Sequence, residues 1–161
     1  LQMDRVDVNE LTASALAVIT PEARHRSVIV NNSAEPFLPS VRGDSVHLQQ
    51  VLLNLLVNAL DAMDAVPAGK RFLDVDTKVE GTHSVSIRVR DSGQGIAAER
   101  LPILFDSFFT TKRNGMGLGL SIAKAIVDAH GGTLTAASIA SGGAEFRLTL
   151  PLETAEAASI S

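Results

Sequence analysis

The chain has no cysteine, no tryptophan and no tyrosine among its 161 residues. The absence of Cys excludes disulfides and thiolate metal sites, and it fits a reducing compartment. Without Trp or Tyr, any aromatic contact with a ligand falls to six Phe or four His. No apolar run approaches the ~18 residues of a membrane span, and the opening LQMDRVDVNE carries no signal-peptide pattern. That opening also lacks an initiating Met, so we expect a longer parent protein. Charge of one sign is not in large excess. The formal net charge of −4 gives no electrostatic footprint for nonspecific nucleic-acid binding. What remains is a chain with 45% hydrophobic and 20% charged residues, which excludes disorder and suits one folded domain with a sizeable core.

Periodicity divides the chain into helices and hairpins. Residues 9–24 read as a helix that Asn9 could cap, with Leu11, Ala15, Leu16 and Ile19 on one face and Pro21 close to its end. Residues 27–31 and 37–42 read as short strands. Gly43 turns the chain and Asp44 can cap a helix that runs to about Met63. Residues 72–80 and 83–91 alternate and form a hairpin about Gly81-Thr82. A short helix over 98–104 follows, then a loop over 105–117. Next comes a helix from about Leu118 to His130 with Leu118, Ile122, Ile126 and Ala129 on its apolar face. Gly131-Gly132 stops it. A last hairpin, 133–139 and 144–150, turns at Gly142-Gly143. We expect one α+β domain over 1–151, a two-layer sandwich with helices on one face of a mixed, mostly antiparallel sheet. Residues 152–161 read as a disordered tail.

The helix after Asp44 is unusual. In DSVHLQQVLLNLLVNALDAM (44–63), His47, Gln50, Asn54, Asn58 and Asp61 make one polar stripe on an otherwise apolar cylinder. Solvent-facing stripes normally carry Lys and Glu, and Asn is a poor mid-helix residue. Two amides on one face suggest a site for a polar ligand or an ion. Three further segments carry chemistry. Gly115-Met116-Gly117-Leu118-Gly119-Leu120 precedes a helix, where backbone N–H groups and the positive dipole end suit phosphate. It is not a Walker loop, because no Gly-Lys-Ser/Thr follows, and it does not sit in a parallel βαβ unit. Asp91-Ser-Gly-Gln-Gly95 ends a strand. There a carboxylate can accept from an amino group while the glycines admit a flat ring; a common Asp-led turn is the plainer alternative. Phe105-Asp-Ser-Phe-Phe-Thr-Thr-Lys112 sets three Phe in a loop, as a cover over something or as a small cluster pinning the loop.

Taken in order, these segments resemble the ATP-binding domain of sensor histidine kinases, in the superfamily of the Bergerat fold. QVLLNLLVNALDAM is similar to the family's N box, DSGQGI to its first glycine box, LFDSFFTTK to its F box and GMGLGLSIAKAIVDAHGG to its second glycine box. The resemblance covers residues 5 to 151. It implies Mg²⁺ on Asn58 with Asn54 beside it, bridging ATP phosphates. It implies that Asp91 accepts from the adenine amino group, and that Gly93, Gly95 and Ile96 pack against base and sugar. It implies a lid from Phe105 to Gly117, including Phe109, Thr110 and Thr111, with Lys112 at the phosphates. Gly115, Met116, Gly117, Leu118, Gly119 and Leu120 would hinge the lid and present N–H groups. Gly143 would belong to the last glycine box, where Ala144 replaces a hydroxyl residue often seen there.

Two departures qualify the resemblance. Many histidine kinases carry a Lys three residues after the metal Asn; here Asp61 stands there, at the margin of the cofactor set and more at home in the polar stripe. The NALDAM and FFTTK variants look like a subgroup related to nitrogen- and oxygen-responsive kinases. None of His25, His47, His83 and His130 lies in the His-Asp/Glu-x-x-Pro setting of a phosphoacceptor, and we read all four as structural or solvated. His130, at a helix end, would suit a partly charged ring. The resemblance therefore implies γ-phosphoryl transfer from ATP to a His on a separate dimerisation domain, then to a response-regulator receiver domain. The expected setting is cytoplasmic, with a monomeric fragment and no nucleic-acid or direct membrane contact. Asn54 stands where the ATPase branches carry a water-activating Glu, and an amide takes no proton at neutral pH. Rival readings are a Ser/Thr kinase of the anti-sigma type and a non-catalytic ATP-gated interaction module.

Overall fold

The computed structural model describes residues 1–106 and 117–153, apart from the side chains of Gly117 and Leu118. The elements run β1 (Asp4–Val6), α1 (Val8–His25), β2 (Ile29–Ala34), β3 (Val41–Gly43), α2 (Ser45–Ala62), β4 (Phe72–Glu80), β5 (Ser84–Asp91), a 3-10 turn at Ala98–Ile103, α3 (Gly117–Ala129), β6 (Thr133–Ser138) and β7 (Ala144–Pro151). The main sheet has the order β2-β4-β5-β7-β6. Only β2 and β4 are parallel; the other neighbours are antiparallel. This is the expected two-layer α+β sandwich.

Alternation along the strands decides which face meets the helices. Leu73, Val75, Val85, Ile87, Val89, Phe146, Leu148 and Leu150 point inward and are buried. Asp76, Arg88, Arg90, Glu145, Arg147 and Glu80 point outward in a ladder of ion pairs, among them Arg88 to Asp76 at 2.6 Å and Arg90 to Glu145 at 2.8 Å. These cross-strand charges satisfy the open face without a second helical layer.

Helix α2 packs between α1 and α3 and over β5. Leu48, Val51, Leu52, Leu55, Leu56, Ala59 and Leu60 are all buried, and each fully buried aliphatic side chain contributes about 1.5–3 kcal/mol. That burial fixes the rotation of the helix, and with it the direction of the polar stripe.

The structure departs from the sequence expectations in several places. Asp7, not Asn9, caps α1 by accepting from the Glu10 N–H at 3.1 Å. Asn9 lies inside the helix, donating to the Glu35 carbonyl at 2.8 Å and accepting from Thr77 Oγ1 at 2.6 Å. The helix continues through Pro21 to His25, because Ile19 and Ala23 on either side are buried against the core. On α3 the buried residues are Ala123 and Val127, while Ile122 is 39% exposed. The apolar face is rotated by one residue from the expected one, since small residues let the helix approach closely. The strand expected at 37–42 shortens to Val41–Gly43, and Phe37 is 98% exposed with φ +60°. The β1 strand, not anticipated, pairs with β3 through Asp4–Gly43, Arg5–Arg42 and Val6–Val41. Leu152, assigned to the tail by sequence, is buried and bridges Val41. Residues 154–161 lie outside the described residues.

Candidate nucleotide site

One transverse row organises the site. Across the end of the sheet, Leu73 is in register with Asp91, Asp91 with Ala144, and Ala144 with Ser138. Beyond this row the strands stop: β5 runs into the Ser92–Ala97 loop, and β6 and β7 turn at Gly142-Gly143. The row therefore marks where backbone and side chains are no longer used up by the sheet ladder.

Asp91 is the centre of the row. It is 4% exposed, and its Oδ1 accepts from the Gly93 N–H at 2.8 Å and the Ala144 N–H at 3.3 Å. Among the described residues its Oδ2 is buried with no hydrogen-bond partner. Burial pushes the Asp91 carboxyl up from its ordinary value, and the two N–H donors oppose that shift. A buried carboxylate oxygen without a donor is costly, and Oδ2 can accept a further hydrogen bond. Gly93 keeps the approach open at this point. A Cβ there would lie 2.5 Å from the Ala62 carbonyl oxygen and 2.9 Å from Asp91 Oδ1, so no larger residue fits between Asp91 and the end of α2. Gly95 has φ +81°, a left-handed conformation that favours glycine. Ile96 packs partly against the core.

The polar stripe of α2 is present as expected, with His47, Asn54, Asn58 and Asp61 half-buried. Asn54 Nδ2 donates to the Gly119 carbonyl at 3.0 Å, which ties the stripe to the first turn of α3. Asn58 lies one helical turn further on the same face. Asp61 is engaged from another direction: Arg26 Nη1 is 2.8 Å from its Oδ1, and that bond raises the Arg26 pKa. This pairing explains an acidic residue where a basic one was expected, and it holds the Asp61 carboxylate to the end of α1. His47 Nδ1 lies 2.9 Å from Asp44 Oδ2.

His130 corrects the sequence expectation of a partly charged ring. Its Nε2 accepts the Asp44 N–H at 3.0 Å and its Nδ1 lies 2.8 Å from the Ile126 carbonyl. Those partners require the neutral tautomer with the proton on Nδ1. Phe105 stacks edge-on against the buried Phe146, with ring centroids 6.3 Å apart at 83°, so this end of the Phe-rich segment anchors in the core. Leu120 also packs against the core, and α3 begins at Gly117, followed by Leu118. Phe109, Thr110, Thr111, Lys112, Gly115 and Met116 lie outside the described residues.

Two residues to which the motifs gave no role also belong here. Ser92 Oγ donates to the Lys70 carbonyl at 2.8 Å and accepts from the Phe72 N–H at 2.8 Å, fixing where the chain leaves β5. Ser138 meets the Ile96 backbone, and only the register of the last hairpin could have pointed to it. Among the described residues no group of three His, Cys, Asp or Glu could hold a metal ion by itself. A cation here would have to share amide oxygens of the stripe with oxygens that a ligand brings, which suits a hard, partly hydrated ion.

Comparisons to known proteins bear on the fold and the family. Residues 43–154 match the family model described as histidine kinase-, DNA gyrase B-, and HSP90-like ATPase. The chain is 42% identical over 144 residues to the sensor protein FixL of Bradyrhizobium diazoefficiens, covering 89% of this chain and 28% of that protein. It is 40% identical over 152 residues to the sensor histidine kinase ZraS of Escherichia coli, covering 94% and 32%. It thus spans about a third of the length of these curated relatives. The solved catalytic domain of histidine kinase ThkA superposes with a TM-score of 0.83 at 26% identity, covering 94% of this chain and 97% of that one. ThkA in complex with response regulator protein TrrA gives 0.80 at 25% identity, over 96% of this chain and 43% of that one. The chain belongs to the family of histidine kinase-, DNA gyrase B- and HSP90-like ATPases, and within it is an ATP-binding domain of the histidine kinase type.

Proposed function

We propose that this domain binds Mg-ATP and gives the γ-phosphoryl group to a histidine on a dimerisation domain of its parent protein. The observation that carries the reading is the bare, buried Oδ2 of Asp91. It is an acceptor on a rigid strand end, beside the narrow approach that Gly93 keeps open, and an adenine amino group supplies the matching donor. Asn58, with Asn54 beside it, would hold Mg²⁺ through amide oxygen, and the ion would neutralise charge on the phosphates. Asn54 cannot serve as a base, so phosphoryl groups leave to a docked imidazole rather than to water. Lys112, Thr110 and Thr111 would meet the phosphates from the lid, with Gly115, Met116, Gly117, Leu118, Gly119 and Leu120 carrying it. Phe109 would cover the base side, and Phe105 would anchor the lid's first end. Asp61, at the margin of the cofactor set, would hold α2 to Arg26. The phosphorylated histidine would then supply the receiver domain of a response regulator, in the cytoplasm where ATP and Mg²⁺ are available.

The test supplies the purified chain with γ-labelled Mg-ATP and a dimerisation domain bearing the acceptor histidine. We expect label on the supplied domain, none on this chain alone, and loss of labelling in Asn58→Ala. The label should be acid-labile, as a phosphorus–nitrogen bond is. An acid-stable label would favour the Ser/Thr kinase reading. Rapid steady hydrolysis without an acceptor would contradict phosphotransfer as the main activity.

A further inference from the structure

The Ser92–Ala97 loop must hold its shape for Asp91 to face a base, yet the sheet no longer braces it. One side chain from a different strand takes over. Ser138 Oγ accepts the Ile96 N–H at 2.9 Å and donates to the Ile96 carbonyl at 2.8 Å. A single hydroxyl therefore satisfies both backbone polar groups of one loop residue, as its one donor and two acceptor positions allow. Ser138 ends β6 and is in register with Ala144, whose N–H reaches Asp91 Oδ1. The row thus acts on the loop twice, through Ala144 at its start and Ser138 at its far side. The fit is close: a Cβ on Gly95 would lie 3.3 Å from Ser138 Oγ and 3.1 Å from the Gly143 carbonyl oxygen. The hairpin also turns back on itself here, with Ile139 N–H to the Gly143 carbonyl at 2.9 Å, so Ser138 sits on a braced element rather than on a free loop.

We propose that Ser138 is a positioning residue for the adenine side of the nucleotide site, acting through Ile96 to hold the Ser92–Ala97 loop against the last hairpin. It touches neither the Asp91 side chain nor, on this account, the phosphates. Its removal should weaken every adenine nucleotide by the same factor, whatever the number of phosphates. This inference rests on the Mg-ATP reading, and the experiment separates the two.

Calorimetric titration of the 161-residue chain with Mg-ATP and with Mg-ADP, for wild type, Ser138→Ala and Ser138→Thr, provides the test. Ser138→Ala should bind both nucleotides about tenfold more weakly, the scale of losing one or two hydrogen bonds. Ser138→Thr, which keeps the hydroxyl, should restore binding. Because Ser138 is exposed, Tm should stay close to wild type, while hydrogen exchange at the Ile96 amide should speed up in Ser138→Ala alone. If wild type binds neither nucleotide, the Mg-ATP reading fails and this inference with it. If wild type binds and Ser138→Ala binds equally well, only the inference fails. A loss for ATP much larger than for ADP would overturn it, because the residue would then act on the phosphate side. So would a fall in Tm that tracks the affinity and is not rescued by Thr.

Discussion

Asp44 and Asp91 are both buried carboxylates, and the chain treats them in opposite ways. Asp44 accepts from the Gln2 N–H at 2.9 Å and from the Val46 and His47 N–H groups at 3.1 and 3.2 Å, with His47 Nδ1 2.9 Å away. Those donors, the Gln2 N–H first, hold its carboxyl well below the usual carboxylate range. Among the described residues Asp91 receives two N–H groups on one oxygen and nothing on the other, and burial pushes it up. The difference separates a carboxylate that builds the fold from one that, on the proposed function, is reserved for a ligand. The first joins the N-terminal segment, the start of α2 and, through its own N–H, the His130 ring at the end of α3. The second sits at the far end of α2, with one oxygen unpartnered among the described residues. On the proposed function the same helix carries a structural terminus and a binding terminus, and its polar stripe runs between them.

This contrast can be broken by substitution. The largest effect should come from Asp91→Asn, which keeps Oδ1 as acceptor but turns a donor toward the base. Mg-ATP affinity should fall roughly 100-fold, as for a lost hydrogen bond to a charged group. The Tm of the nucleotide-free chain should hold or rise, because a desolvated charge is gone. Calorimetry and thermal melting together check this. Asp44→Ala should show the reverse pattern: Tm lower by several degrees through the lost helix cap and its other bonds, with nucleotide affinity within about threefold of wild type when measured below the transition. A large affinity loss with an unchanged Tm would erase the distinction.

Titration sharpens it further. The folded pKa of Asp44 lies below its ordinary 3.8. Its stabilisation is complete above that value and is lost as pH falls through the acid range toward the folded pKa. Asp91 has a folded pKa above 3.8. Its contribution is most favourable below that value and declines as pH rises through the folded pKa. Urea midpoints followed from pH 3 upward should therefore show the Asp44→Ala chain losing less stability on acidification than wild type, and the Asp91→Asn chain losing less on the basic side of the same window.

Much of this was legible in the sequence, for physical reasons. The two hairpins announced themselves by alternation, and α2 by its stripe and its capping Asp44. The candidate site was proposed from places where chemistry constrains composition, and the structure shows these as half-buried amides on an apolar helix, a buried Asp at a strand end, and a glycine where backbone comes close. What escaped depends on contacts between distant segments. β1 has one inward residue, Val6, and forms only because β3 is there to pair with it. The parallel pairing of β2 with β4 carries no local mark. The rotation of α3 follows from Ala123 and Val127 meeting the core, and packing outweighed the larger Ile122. Arg26, at the C-terminal cap of α1, explains Asp61, from 35 residues away in sequence. Ser138 is one of many serines until the register sets it beside Ala144.

The most direct test of the account removes the donor from the ligand rather than the acceptor from the protein. Inosine triphosphate carries a carbonyl oxygen where ATP carries the amino group and a proton on the neighbouring ring nitrogen N1, and is otherwise the same nucleotide. Calorimetric titration of wild type with Mg-ATP and Mg-ITP should give ATP a preference of about 100-fold, on the scale of a hydrogen bond to a buried charge, and Asp91→Asn should reduce that preference sharply. Equal affinity of wild type for the two nucleotides would contradict the claim that Asp91 Oδ2 is kept bare to read an adenine amino group.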